Sequence, residues 1–277
     1  MTSVFPSSVT APIHSLLLPH SAGHLCDVAW SPLGTCLAAV SSAGWILIWD
    51  SSTGELLHQK QVTCTPLLSV AWARQGAFLA VGCQKGILRM LDEHLTVCAM
   101  YPFSSPVTRI AWAPHVVGAC VIVTGQNVTV LREENQTTRV LRYQSAVLDA
   151  TWSGDGRQMA VLCADGLVEI WQARQSRLVQ RFQTEPMAGG SLLWDQACHS
   201  IMVVETAGTL HSYQLLGSRP VSSSPSSTMA SLLPDMEGKG RAVRDPSGRY
   251  LATANPHAVF LYPFVPPTQR HSPVCSH

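Results

Sequence analysis

The chain has 277 residues, 46% of them hydrophobic and 13% charged, with a formal net charge of +1. That length and apolar content can bury a large core, and the near-zero charge gives no overall pull toward nucleic acid or an anionic membrane. No apolar run approaches the roughly 20 residues that span a bilayer, and Met1-Thr-Ser-Val-Phe-Pro6 lacks the basic and apolar regions of a secretory signal.

Residues 1–12 read as a flexible N-terminus, and Ile13-His-Ser-Leu-Leu-Leu18 as an isolated strand. A unit then recurs. Its first mark is a tryptophan closing a short phrase: Asp27-Val-Ala-Trp30, Ser69-Val-Ala-Trp72, Arg109-Ile-Ala-Trp112, Asp149-Ala-Thr-Trp152 and Ser191-Leu-Leu-Trp194, at intervals of 42, 40, 40 and 42. A period near 40 means one supersecondary unit used repeatedly. The first unit continues through Ser31-Pro-Leu-Gly34, a turn-forming run, into the apolar segment Leu37–Val40. Gly44 follows, fourteen after the tryptophan, and then Ile46-Leu-Ile-Trp49 and Glu55–Lys60. The short β-branched and aromatic runs predict strands, and the glycine a tight hairpin between them.

The second and fourth units repeat these marks with Gly86 and Gly166, and with Leu91 and Trp171 nineteen after the tryptophan. The third has Gly125 one place early; the fifth has Gly208 and Tyr213. Then comes an insert, 217–240, rich in Ser and Pro, too polar to form a blade and expected to be a mobile loop. A sixth unit opens on Val243-Arg-Asp-Pro-Ser-Gly248, with Arg244 where tryptophan belongs, and ends in Val259-Phe-Leu-Tyr262. Residues 266–277 read as a flexible tail.

These marks resemble the WD-repeat family. Trp49-Asp50 matches its closing dipeptide, Gly23-His24 its opening dipeptide and Asp165-Gly166 its turn aspartate. The resemblance implies an all-β propeller of four-stranded antiparallel blades over residues 13–265. The repeat count gives about six blades. The last unit has only three strands of its own, so Ile13–Leu18 is expected to complete it and close the ring, removing an exposed sheet edge. Two alternatives stay open: a partner chain donates the missing blade, or the chain is a short form of a seven-bladed protein.

No nucleophile elbow, phosphate-binding glycine loop or His-Glu-x-x-His helix is present. Asp155 and Asp165 fall in turns, where aspartate caps its own backbone. The 9 cysteines stand singly; Cys83 and Cys163 share one repeat position, as small-residue packing would place them. A reducing, intracellular setting follows, with no cofactor, no metal and no enzymatic activity expected. His24 reads as structural, and Arg174, Arg177 and Arg181 as a solvated face. Binding is left to loops on a rigid scaffold. The glycine-turn loops offer Ala43, Lys85, Gln126, Asn127, Asp165, Ala207 and His257. Trp45 reads as an interface anchor or as packing against the next blade.

The phrase Ala111-Trp-Ala-Pro114, a long connection after the fifth unit, and Asp245-Pro-Ser-Gly248 are also similar to the aladin-like WD-repeat nucleoporins. That resemblance implies a scaffold at the nuclear pore, docked to a membrane-embedded nucleoporin, with protein partners in a larger complex and no direct nucleic acid. The alternative is a regulatory adaptor, such as a ubiquitin-ligase substrate receptor or a coat subunit with an open propeller. On either reading the chain belongs at the nuclear envelope or in the cytoplasm, and Ser224-Pro225 and Ser272-Pro273 are candidate phosphorylation sites.

Overall fold

The computed structural model describes residues 12–62, 65–73, 78–114, 119–132, 137–173, 175, 177–194, 200–205, 210–215, 228–229 and 241–263. Gly208, Ala207, Arg174, both Ser-Pro pairs, residues 1–11, the tail and all of the insert except Thr228–Met229 lie outside them.

The chain folds into six four-stranded antiparallel sheets. Strand β1 (His14–Leu17) comes first. Blade 1 is β2 (Leu25–Trp30), β3 (Cys36–Ser41), β4 (Trp45–Asp50) and β5 (Leu56–Gln61). Blade 2 is β6 (Leu67–Trp72), β7 (Leu79–Cys83), β8 (Ile87–Leu91) and β9 (Val97–Pro102). Blade 3 is β10 (Arg109–Trp112), β11 (Ala119–Thr124), β12 (Asn127–Arg132) and β13 (Thr137–Arg142). Blade 4 is β14 (Val147–Trp152), β15 (Gln158–Cys163), β16 (Leu167–Gln172) and β17 (Arg177–Gln183). Blade 5 is β18 (Gly190–Trp194), β19 (Ser200–Glu205), β20 (Leu210–Gln214) and β21 (Thr228–Met229). Blade 6 is β22 (Arg241–Arg244), β23 (Tyr250–Ala254) and β24 (Ala258–Pro263), with β1 as its outer strand.

The first strands β2, β6, β10, β14, β18 and β22 abut one another around the axis. The second strands are covered on both faces by neighbouring blades and read as near-continuous apolar runs; every residue of β11 is buried. The outer strand β5, with one edge in solvent, is polar and largely exposed. The core is a set of six layers, one in each cleft between adjacent blades. One of them joins Val28, Leu37 and Leu47 of blade 1 to Ala252, Val259 and Leu261 of blade 6.

The ring is closed. β1 pairs with β24 in register from His14↔Leu261 to Leu17↔Ala258, and its Leu16 is buried in the seam between blades 6 and 1. Neither a donated blade nor a seventh is needed, and the open ring that a coat-subunit reading supposes is corrected. For Thr228–Met229 alone, the loop expectation over the insert is corrected. Thr228–Met229, inside the polar run expected to be a loop, pairs with Leu210–His211 as the outer strand of blade 5. Pairing through the backbone asks nothing of side-chain polarity, so the polar composition does not forbid it.

The turn phrases have a physical basis. Ser31, Ser153 and Asp245, each directly after the repeat position, accept the backbone N–H five residues on, at 3.0, 2.9 and 2.7 Å. The second turn needs glycine at Gly166, where φ is +84° and a Cβ would collide with the Thr184 carbonyl. Gly125 stands one place early because β11 and β12 join through a two-residue hairpin, with Thr124 paired to Asn127.

Candidate functional site: a channel of paired charges and an outer surface

The tryptophans that set the period stitch blades together. Trp30 Nε1 donates to the Val243 carbonyl of blade 6 (3.3 Å), Trp72 to Ala29 of blade 1 (3.2 Å), and Trp152 to Ala111 of blade 3 (3.1 Å). Each acceptor is the residue just before the repeat position of the preceding blade. Arg244 keeps the stitch without an indole: its Nη1 donates to the Trp194 carbonyl at 3.2 Å, and Nη2 to Gly248 at 2.9 Å. The indole nitrogens of Trp112 and Trp194 are buried without such a partner.

Three residues before each of these positions stands the channel lining. Read around the ring it is Asp27, Ser69, Arg109, Asp149, Ser191 and Arg241, the same triplet twice. A register shift just before Asp27, Ser69 and Asp149 marks an irregularity of the kind that re-aims a side chain. Arg241 joins Asp27 (2.5 Å) and reaches across the ring to Asp149 (3.0 Å), while Arg109 lies 3.4 Å from Asp149. Each carboxylate also accepts two backbone N–H groups. Asp27 takes Val28 and Val70, and Asp149 takes Ala150 and Leu192 at 3.0 and 2.8 Å. Asp27 and Asp149 are buried, and both arginines nearly so. Burial raises the Asp149 carboxyl, but Arg241 and Arg109 outweigh it and hold the group below the usual carboxylate range. Burial wins at Asp27, whose carboxyl is raised. Two anions and two cations thus neutralise each other where the first strands meet. A recess of about 260 Å³ reaches this network, with Asp149 and Arg241 in its wall. Its Arg244 and Asp245 are committed to carbonyls and turn amides.

The residues expected on the loop face fall as follows. Lys85, Gln126, Asp165 and His257 are exposed; Ala43 and Asn127 are half-buried. Gln126 donates to the Gln144 carbonyl (3.0 Å) and braces the β13–β14 connection. Trp45 is half-buried against the core between blades 1 and 6, packing toward the preceding blade. His24 is exposed, its ring edge-on to His257 at 5.3 Å across the seam. Asp155 and Asp165 accept the turn amides of Arg157 and Leu167. Cys83 and Cys163 are buried, and burial, with Asp165 and Glu169 nearby, pushes the Cys163 thiol up to about 12. Among the described residues no His, Cys, Asp and Glu cluster could hold a metal, and no helix is long and apolar enough to cross a membrane.

One group stands outside every expectation. Glu169 is buried between blades 3 and 4 and accepts hydrogen bonds from Tyr143 Oη (3.0 Å), Trp171 Nε1 (3.0 Å) and Arg181 Nε (2.8 Å). Arg181 is therefore not simply part of a solvated face, although its side chain is 60% exposed; Arg177 is exposed.

Comparison with known proteins agrees with this geometry. Residues 11–50, from β1 through β4, match the WD domain, G-beta repeat. The chain carries WD40 repeats. A second match, over residues 119–197 from β11 to just past β18, is to the anaphase-promoting complex subunit 4 WD40 domain. Among curated relatives, WD repeat-containing protein slp1 of Schizosaccharomyces pombe is 26% identical over 151 residues, 53% of this chain and 30% of that protein. Anaphase-promoting complex subunit cdh1 of Dictyostelium discoideum is 22% identical over 136 residues, 46% of this chain and 18% of that one. Protein FIZZY-RELATED 1 of Arabidopsis thaliana is 22% identical over 215 residues, 70% of this chain and 43% of that one. The WD40 propeller thus spans less than half the length of each of these relatives. A protein-interaction role is what WD40 relatives of this kind support.

Proposed function

We propose that this WD40 propeller is a noncatalytic regulatory adaptor in a ubiquitin-ligase assembly, with the anaphase-promoting complex as the assembly its relatives point to. The observation that carries the reading is the match of residues 119–197 to the WD40 domain of an anaphase-promoting complex subunit, joined by the relative named as another subunit of that complex. The channel supports the noncatalytic part. Among the described residues, its carboxylates are spent on Arg241, Arg109 and backbone amides, and a carboxylate so paired is a poor proton-transfer group. Interaction then falls to the loops and the outer strands, in the nucleus or the cytoplasm.

A second reading, a scaffold at the nuclear pore docked to a membrane-embedded nucleoporin, is favoured by Asp245-Pro-Ser-Gly248 and the long connection before it. Affinity purification of the full chain from cell lysate with quantitative mass spectrometry separates the two. Enrichment of ligase subunits supports the adaptor; enrichment of pore components without them supports the scaffold and overturns the adaptor. Turnover of a substrate by the purified chain would overturn both.

A further inference from the structure

A groove of about 540 Å³ runs between blades 3 and 4 along β13 and β16. In blade 1 the place seventeen residues after the tryptophan is Leu47, which packs with Leu16 of β1 and closes the seam. In blade 4 that place is Glu169. A carboxylate there demands donors, and Tyr143, Trp171 and Arg181 supply them. The cleft is left open above a polar floor whose hydrogen bonds are already made. Glu169 grips Arg181 through two nitrogens and fixes its guanidinium at the groove wall while leaving it largely exposed. Glu169 occupies Nε and Nη2 and offsets part of the charge, which leaves the exposed Nη1 edge of the fixed guanidinium to meet an incoming carboxylate.

The surroundings are asymmetric in charge. The two outer strands bounding the groove, β13 and β17, carry Arg139, Arg142, Arg177 and Arg181 and no acidic residue; the other four outer strands carry one cation between them, Lys60. Arg139 lies over the Trp171 ring at 5.8 Å. Among the described residues no carboxylate pairs with Arg139, Arg142 or Arg177. Apolar surface alternates with these charges: Leu141 and Leu167 line the groove, and Val140 and Val179 are 46% and 39% exposed. β13 is also an edge strand, paired with β12 on one side only, so its outer backbone groups are open to a further strand.

We propose that the groove between blades 3 and 4 binds an extended acidic segment of a partner protein, its carboxylates meeting Arg142 and Arg181 and an apolar side chain between them resting on Leu141 and Leu167. This rests on the adaptor reading, for which it names the class of segment recognised. A peptide fits better than a nucleic acid: Asp165 and Glu169 stand in the same groove, and a net charge of +1 gives no long-range field for a polyanion.

The full chain is panned against a phage-displayed random dodecapeptide library, and enriched peptides are measured by fluorescence polarisation. The expected peptides carry two or more Asp or Glu around an aliphatic or aromatic residue. Their Kd rises about tenfold or more in Arg142→Glu, rises less in Arg139→Glu, which neighbours the groove over the Trp171 ring without lining it, and rises with salt. Both side chains are exposed, so the melting temperature holds and confirms that each variant is folded. Enrichment of peptides without acidic residues, no enrichment, an affinity indifferent to both variants, or equal binding of a single-stranded RNA dodecamer would each overturn the proposal. Acidic peptides bound in this way while affinity purification recovers no ligase subunit would leave the groove standing and the adaptor reading overturned. Ligase subunits recovered equally by the wild type and Arg142→Glu, with no acidic peptide bound, would do the reverse.

Discussion

Replacing Asp149 with Asn tests whether the axis of the ring is held by charge. The side chain keeps its shape, but Ala150 and Leu192 donate to different carboxylate oxygens, so the amide keeps only one of these two backbone bonds. It loses the charge that faces Arg241 at 3.0 Å and Arg109 at 3.4 Å. Two nearly buried guanidinium groups are then left with Asp27 alone. Removing one member of a buried ion pair costs about 3–5 kcal/mol, because the remaining charge is desolvated without compensation. Unfolding entropy of about 2.1 cal/mol/K per residue over 277 residues comes to about 0.6 kcal/mol/K. The expected fall in melting temperature at neutral pH is therefore about 5–9 °C by scanning calorimetry. Arg157→Gln is the control: its pair with Asp155 spans 3.8 Å on a side chain 85% exposed, and its loss should move the midpoint by about 1 °C or less. The pH dependence has a definite sign. The Asp149 carboxyl is depressed in the folded state, so its contribution is full above the ordinary aspartate value of 3.8 and is lost as pH falls through the folded value. The gap between wild type and Asp149→Asn should then narrow below that point. A variant melting no lower than Arg157→Gln at neutral pH would refute the reasoning.

Three further pairs of variants probe the fold. Trp72→Phe removes the indole bond to Ala29, whereas Trp112→Phe removes an indole N–H that is buried without a partner. The first should be less stable in urea titration by about 1 kcal/mol; equal losses would mean that the stitch contributes nothing. Gly166→Ala meets both a φ of +84° and the Thr184 carbonyl, whereas Gly125→Ala has a φ of +65° and open space. Gly125→Ala should cost about 1–2 kcal/mol and Gly166→Ala clearly more, and the reverse order would contradict the turn geometry. Leu16→Ala, in the closing strand, should cost about 2–5 kcal/mol, while Leu17→Ala, 72% exposed, should change stability by about 0.5 kcal/mol or less. Indifference to Leu16→Ala would mean that β1 does not close the ring.

What could be read in the chain beforehand was local and repeated. Trp30 and its successors, and the glycine fourteen residues on, recur because every blade needs the same stitch and the same hairpin. Arg244 is recognisable in a tryptophan's place because Asp245-Pro-Ser-Gly248 forms the turn that Trp-Ser-Pro-x-Gly forms elsewhere. The need to cover a sheet edge pointed Ile13–Leu18 to the last blade. The channel charges lay inside the repeated phrases but were not legible as a set, since Asp27 and Arg241 meet only once six blades have closed. The signal was there: the position three before each mark runs Asp, Ser, Arg twice. Glu169, in Leu167-Val-Glu-Ile-Trp171, reads as the exposed residue of an alternating strand. Only the packing of blade 4 on blade 3 buries it. Trp45, beside a turn, admits two readings in sequence, interface anchor or packing, and in the structure it is half-buried against the core between blades 1 and 6.

The adaptor reading is tested most directly by binding between purified components. The full chain is mixed with purified anaphase-promoting complex and resolved by size-exclusion chromatography with quantification of both. The account predicts comigration with the complex in a fixed ratio, reduced in Arg142→Glu but not in Arg157→Gln. Elution of the chain entirely at its own volume, at concentrations well above micromolar, would contradict it.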